Sequence, residues 1–370
     1  MTTAELLSKT DRSIRKLATF LPSFLYTGIY SYGRKFFLNR FCNEEPKPFR
    51  AAKHHSVKLW DIEFSVPLFN SAGMFKTGDG YRTIALQGAG AYLAGTTTSV
   101  ARKGNRKKAI IHPFVPLPRS GTALNWMGLP NPGNEILAKK LSKVEKIQGC
   151  PIGTSLSNSP DLSNMDALYG CVEGLKLFEK ANVDFIELNE SCPNLEAHNN
   201  LSKDIISDLI YRLEFISSNY LRKRMRNLPV IVKFSIDTEI ELLYLLIDAL
   251  LDLGFDGINF GNTSTNYNLF LDEIDTKEKK IYSYFYQTFG GGISGKPLKE
   301  KSLLLCSSAV KYLERKNLSK EFYVIRTGGI ENLEDILLSK KNGILLNQWF
   351  TGYFENFSKY GHRVYRELFT

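Results

Sequence analysis

"PVIVKFS", residues 229–235, is an apolar run with a single lysine near its end. A continuous apolar run of this length suits a strand buried on both faces. Seven other runs have the same character: VPLFNSAG (66–73), AYLAGTTT (91–98), PIGTSLS (151–157), VDFIELN (183–189), DGINFGN (256–262), FYVIRTGG (322–329) and GILLNQWF (343–350). Helical stretches such as ALYGCVEGLKLFEKA and ELLYLLIDALLDLG lie between most of them. Apolar strands alternating with helices mean parallel strands covered by helices. Eight such units over about 300 residues predict an α/β fold, a (β/α)8 TIM barrel. An open doubly wound sheet is the rival arrangement.

The barrel reading locates a site. Barrels place their active sites at the C-terminal ends of the strands. Those ends carry Ser71-Ala72-Gly73 and then Lys76, Thr96 to Thr98, Ser155, Ser157 and Asn158, Asn189 with Ser191, Cys192 and Asn194, Lys233 and Ser235, Asn262 to Ser264, Gly328-Gly329, and Thr351-Gly352. Turn formation explains small polar residues there but does not select lysine and asparagine.

The glycines after strands seven and eight match the place where barrels bind phosphate, because glycine lets backbone N–H groups approach the anion. GGGISGKP (290–297) is a second glycine-rich loop, without the spacing of a P-loop. Lys233 stands inside an apolar strand. A buried lysine calls for an anionic partner, which a cofactor ring or a substrate carboxylate would supply; snorkelling at the strand end is the alternative. Asn125, Asn189, Asn194 and Asn262 offer carboxamides, each both donor and acceptor. Converging on one face, they suit a planar heterocycle with alternating C=O and N–H edges, such as a pyrimidine or a flavin.

The bulk properties agree with a globular enzyme. The chain has 370 residues, 43% hydrophobic and 23% charged, with a net charge of +10. A basic balance suits phosphates, small carboxylates, nucleic acid or an anionic membrane. No aromatic-interleaved basic repeat or basic recognition helix supports nucleic acid. Cys42, Cys150, Cys171, Cys192 and Cys306 are odd in number and widely spaced, with no CxxC. This argues against a disulfide framework or zinc site and for a reducing compartment. The histidines form no metal pattern, and no metal is expected.

Residues 1–45 differ from the barrel, which is placed at 46–370. SIRKLATFLPSFLYTGIYSYGRKFFLNRF is rich in aromatics, leucine and basic residues and is interrupted by Pro22. It falls short of the roughly 20 apolar residues of a membrane span and lacks a signal-peptide pattern. It reads as an N-terminal helical extension, either amphipathic helices lying on a membrane or an arm packed on the barrel.

NSAG, NWMGLPN, NESCPN, GNTS, GGISGKPL and RTGGI, in this order from about residue 58 to the C-terminus, resemble motifs of the dihydroorotate dehydrogenase family, flavin enzymes of pyrimidine biosynthesis. The resemblance implies a barrel holding FMN at its top. It implies that Cys192 removes a proton from C5 of dihydroorotate while hydride leaves C6 for flavin N5, giving orotate. Asn125, Asn189, Asn194, Asn262 and Thr263 would hold the substrate, with Lys76 nearby. Lys233 would offset negative charge on reduced flavin. Ala72, Gly73, Thr96, Asn189, Ser294, Gly295, Gly328, Gly329, Phe350 and Thr351 would line the cofactor, the last four near its phosphate.

The resemblance is mixed. A cysteine base is typical of soluble class 1 members, whereas GGISGKPL, Lys76 after SAGMF and the N-terminal extension look like membrane-associated, quinone-using class 2. The expectation is class 2 architecture with a cysteine base, passing electrons to quinone or another acceptor, on the cytoplasmic side as a peripheral membrane protein or soluble in the cytoplasm. Three departures stand out: Ala109 near the place of a family arginine, Pro151 where a flavin-contacting asparagine in strand three is usual, and Glu190, beside the base, where a small apolar residue is usual and a charge would disturb substrate affinity or raise the thiol's pKa. The alternatives are a related flavin enzyme acting on another pyrimidine, and a barrel that binds FMN or a pyrimidine without catalysis.

Overall fold

A computed structural model describes residues 1–190 and 203–370. Eight parallel strands form one sheet: β1 Leu68–Asn70, β2 Tyr92–Thr97, β3 Ile152–Leu156, β4 Phe185–Asn189, β5 Val230–Phe234, β6 Gly257–Phe260, β7 Tyr323–Thr327 and β8 Leu346–Trp349. Neighbours in sequence are neighbours in the sheet from β2 to β8, and β8 returns to pair with β1. The order is that of a barrel rather than a doubly wound sheet.

The seam between β1 and β2 is closed largely by one side chain. Asn70, fully buried, accepts a hydrogen bond from the Leu93 N–H at 3.1 Å and donates one to the Leu93 carbonyl at 2.8 Å. Its carboxamide thus imitates a peptide group and completes a ladder the short β1 cannot. Backbone bonds from Gly90 to Leu68 and from Gly73 to Gly95 flank it.

The floor is apolar. A hairpin of Val57–Leu59 and Ile62–Phe64 carries Trp60 and Phe64 against Phe69, Phe185, Ile231, Ile325 and Leu346 at the strand bases. Pro151 sits at this end, its carbonyl accepting the Tyr92 N–H. It therefore does not occupy a cofactor position, contrary to expectation; Ser155 holds the upper end of β3.

Over the mouth lies a small antiparallel sheet of Phe114–Leu117, Thr122–Asn125 and Gly292–Gly295. The glycine-rich GGGISGKP stretch is thus an ordered strand and turn. Two helices precede the barrel, α1 Thr3–Ala18 and α2 Ser23–Phe41, parted at Pro22. Tyr26 of α2 donates to the Pro116 carbonyl, and Phe37 and Phe41 pack on Phe354 and Phe357 of the helix Thr351–Tyr360. Arg15 of α1 makes a two-pronged ion pair with Glu355 of the same helix, at 2.7 and 2.8 Å. Leu17, Phe20, Leu25, Ile29 and Phe36 nevertheless remain exposed. Among the described residues no helix is long and apolar enough to cross a membrane.

Replacing Asn70 by leucine orphans the Leu93 N–H and carbonyl inside the seam. At about 1–3 kcal/mol for each buried group left unpaired, the expected loss is about 2–5 kcal/mol, measured by urea unfolding. Unchanged stability would mean that the seam closes without the carboxamide.

Candidate active site

The C-terminal ends of the strands and the overlying sheet enclose one cavity. Ala72, Gly73, Lys76, Thr96, Asn125, Asn189, Lys233, Asn262, Thr263, Ser294, Gly295, Gly328, Gly329, Phe350 and Thr351 all line it. Cys192 and Asn194 lie outside the described residues.

Strand alternation explains who faces inward. Residues two apart share a face, so Glu187 and Asn189 of β4 both point into the barrel, and Lys233 of β5 is the register partner of Asn189. Lys233 has an anionic partner that the sequence reading missed. Its Nζ stands 3.4 Å from Glu187 Oε1 and 3.2 Å from Gln348 Oε1, and both charged side chains are almost wholly buried. Asn259 and Gln348 donate to the other Glu187 oxygen at 2.8 and 2.7 Å, and Thr327 donates towards Asn259 and Gln348. An ammonium has three donors; two are engaged here, which leaves the third for the cavity that Lys233 lines. The missed signal was Glu187 itself, a carboxylate in an apolar strand two residues from an inward asparagine.

The remaining polar side chains are held by neighbours. Asn189 donates to Thr96 Oγ1 at 3.0 Å, and Thr96 shares a hydrogen bond with Ser155. Ser294 is bonded to Thr351 Oγ1 at 3.0 Å. The loop after β6 is fixed by Asp237, which accepts from Ser264 Oγ and the Thr265 N–H and pairs with Lys301. Ser264 also exchanges backbone bonds with Ile293 of the overlying sheet. These contacts set Asn262 and Thr263 at the mouth.

One end of the cavity suits a phosphate. Gly328 and Gly329 adjoin the N-terminus of helix Thr351–Tyr360, whose first turn has no side-chain cap. Uncapped N–H groups at a helix start attract an anion. Gly352 is required because a Cβ there would lie 2.0 Å from the Ile330 carbonyl oxygen. Near the other end Gly73 (φ +94°) has no protein atom within 4 Å of where its Cβ would stand, so a side chain would intrude on the cavity. Thr263 Oγ1 is buried with no hydrogen-bond partner among the described residues. Together these features fit a phosphorylated planar heterocycle with a second small ring beside it.

Glu190 departs from expectation. It continues the β4 ladder by donating its N–H to the Lys233 carbonyl, and alternation turns its side chain to the outer wall. There Arg212, on helix Lys203–Asn219, donates to Oε2 at 3.0 and 3.1 Å. Burial raises its pKa while Arg212 opposes the rise, and Oε1 has no partner among the described residues. Ala109, near the place of the expected arginine, presents its carbonyl to Tyr32 of α2.

Residues 54–370 match the family model for dihydroorotate dehydrogenase. The chain is 28% identical over 300 residues to a dihydroorotate dehydrogenase (quinone) of Idiomarina loihiensis, covering 80% of this chain and 82% of that one. It is 28% identical over 321 residues to a protein of the same name from Synechococcus sp., covering 85% and 77%. In three dimensions it is similar to DHODH from Eimeria tenella crystallised with ferulenol, with a TM-score of 0.74 at 20% identity over 91% of this chain and 89% of that one. That structural likeness bears on the barrel fold.

Replacing Arg212 by methionine leaves the buried Glu190 charge unpaired, at about 3–5 kcal/mol near neutral pH. The deficit should shrink as pH falls. Glu190's folded pKa lies above its unfolded value, near about 4.3, and below the folded pKa the carboxyl is neutral and needs no partner. Urea unfolding at pH 5 and pH 8 checks this; equal deficits would contradict it.

Proposed function

The chain belongs to the dihydroorotate dehydrogenase family, and from that premise we propose that its barrel-top site oxidises (S)-dihydroorotate to orotate with FMN, in pyrimidine biosynthesis. The observation that carries the reading is a single cavity in which a buried, partnered lysine, three carboxamides and a glycine-lined anion cradle meet.

The family is FMN-dependent, and the donor set fits this group. Gly328, Gly329, Phe350 and Thr351 would hold the phosphate, and Ala72, Gly73, Thr96, Asn189, Lys233, Ser294 and Gly295 the ring system. FMN bound there supplies the two-electron acceptor for the oxidation.

The protein's own residues have distinct tasks. Asn125, Asn189, Asn194, Asn262 and Thr263 would orient the substrate ring, and Lys76 would attract its carboxylate. Cys192 would take the C5 proton. A thiol's reference pKa of about 8.5 makes it a competent general base with little assistance. Lys233, held by Glu187 and Gln348, brings a fixed positive charge to the cavity and stabilises negative charge developing there without reorganisation.

We extend to this chain the quinone acceptor named for its relatives. Helices α1 and α2 leave a row of exposed apolar side chains, which suits residues 1–45 acting as an access arm lying on the cytoplasmic membrane surface.

Two experiments test the reading. Anaerobic mixing with L-dihydroorotate should bleach the flavin band, and Cys192→Ala should keep its FMN while bleaching about 10²–10⁴-fold more slowly, the usual range for loss of a general base. A yellow protein that does not bleach would remove the substrate assignment. Replacing the exposed Leu17, Phe20, Leu25, Ile29 and Phe36 by serine should abolish quinone reduction while sparing the bleaching; equal quinone rates would remove the access role.

A further inference from the structure

A second cleft, of about 770 Å³, opens beside α2 and meets the central cavity only at Lys76. It lies on the face of α2 turned away from Phe37 and Phe41, which pack on Phe354 and Phe357. Its lining is cationic: Arg34, Lys35, Lys76, Arg102 and Lys103 stand against one carboxylate, Asp79. Asp79 already pairs with Lys140, and Arg102 with Asp161.

Arg34 is the unusual member. Its Nε and Nη1 are buried and have no hydrogen-bond partner, and no carboxylate pairs with it among the described residues. Its guanidinium stands over the Phe114 ring, 5.8 Å from the centroid. Desolvation lowers its pKa to about 10, which still leaves it charged at neutral pH. Withdrawing a charge from water without a partner is costly, and the ring contact offsets only part of that cost. A cation held this way in the wall of a basic cleft is balanced when an anion enters.

We propose that this cleft is a second ligand site, which binds a small oxyanion, carboxylate or phosphate, with Arg34 as its recognition residue. Because it meets the central cavity at Lys76, an occupant there would stand at the entrance of the substrate site. The inference does not depend on which ring the central site oxidises.

Calorimetric titration of the full-length, FMN-loaded protein, saturated with orotate to fill the central site, uses inorganic phosphate and succinate as probes. One equivalent of either anion should bind, weakening as salt rises, and Arg34→Met should lose at least tenfold in affinity. Binding of phosphate alone would identify a phosphate-bearing ligand, and of succinate alone a carboxylate. Thermal melting separates a structural role: Arg34→Met should melt no lower than the parent, because an unpaired buried charge has been removed, and should lose the stabilisation phosphate or succinate confers. No binding of either anion to the parent, or equal affinity in the variant, would overturn the proposal. So would a variant that melts lower with anion affinity unchanged.

Discussion

An ammonium and a carboxylate, both withdrawn from water, stand 3.4 Å apart inside this barrel. Such a pair is weak evidence for stability, because desolvation takes back much of the Coulomb gain. It persists where the neighbouring lone pairs and protons are largely satisfied. Asn259 and Gln348 donate to Glu187, Gln348 accepts from Lys233, and Thr327 steadies Gln348, which leaves one Lys233 donor for the cavity. These residues come from β4, β5, β6, β7 and β8, so the network spans the inside of the barrel. Closure in turn relies on Asn70 at the β1–β2 seam. Two carboxamide-rich positions in short strands therefore underlie the placement of one charge at the mouth.

The same closure links the arm to the site. Helix Thr351–Tyr360 begins at the anion cradle, and its outer side carries Glu355, held by Arg15, and the phenylalanines that pack on α2. Further down, Tyr353 donates to Gln87, Gln87 contacts His362 Nδ1, and His362 Nε2 meets Glu44. With Tyr353 giving its proton to the Gln87 oxygen, the Gln87 amide must donate to Nδ1. That leaves the Nε2–H for Glu44, so one arrangement of donors and acceptors satisfies the whole chain. Glu44 also takes the Ala4 N–H and the Thr2 hydroxyl. The start of the chain, its end and the helix of the anion cradle are thus one hydrogen-bonded unit.

Much of this was legible in the residues. Eight apolar runs set the strands, because a strand buried on both faces has no polar alternation to hide it. Polar residues at one end of those runs marked the cavity: Ser71, Lys76, Thr96, Asn189, Lys233, Asn262, Thr263 and Thr351 line it, whereas Thr97, Thr98, Ser155, Ser157, Asn158, Ser235 and Ser264 do not. What escaped was long-range. Lys233 announced a need for an anion, but register decides that Glu187 supplies it. Pro151 was misplaced by a few residues along β3, enough to exchange top for bottom. The glycine-rich stretch before Lys296 gave no alternating pattern, so its pairing with Thr122–Asn125 was hidden. Arg34 looked like one more basic residue on an amphipathic helix, since burial of a side chain against another segment leaves no local trace.

Glu190 shows how period two resolves a chemical worry. A carboxylate two residues before Cys192, the proposed base, would raise the thiol's pKa if both shared one environment. The ladder carries Asn189 into the barrel and Glu190 to its outer wall, where the Arg212 guanidinium pairs with it. The sheet itself stands between the carboxylate and the cavity. An acidic residue is therefore tolerated within the NESCPN motif provided that the outer helix supplies its arginine. Glu190 and Arg212 are best regarded as one substitution in two places, and the helix Lys203–Asn219 is tied to the strand that presents Asn189 to the cavity.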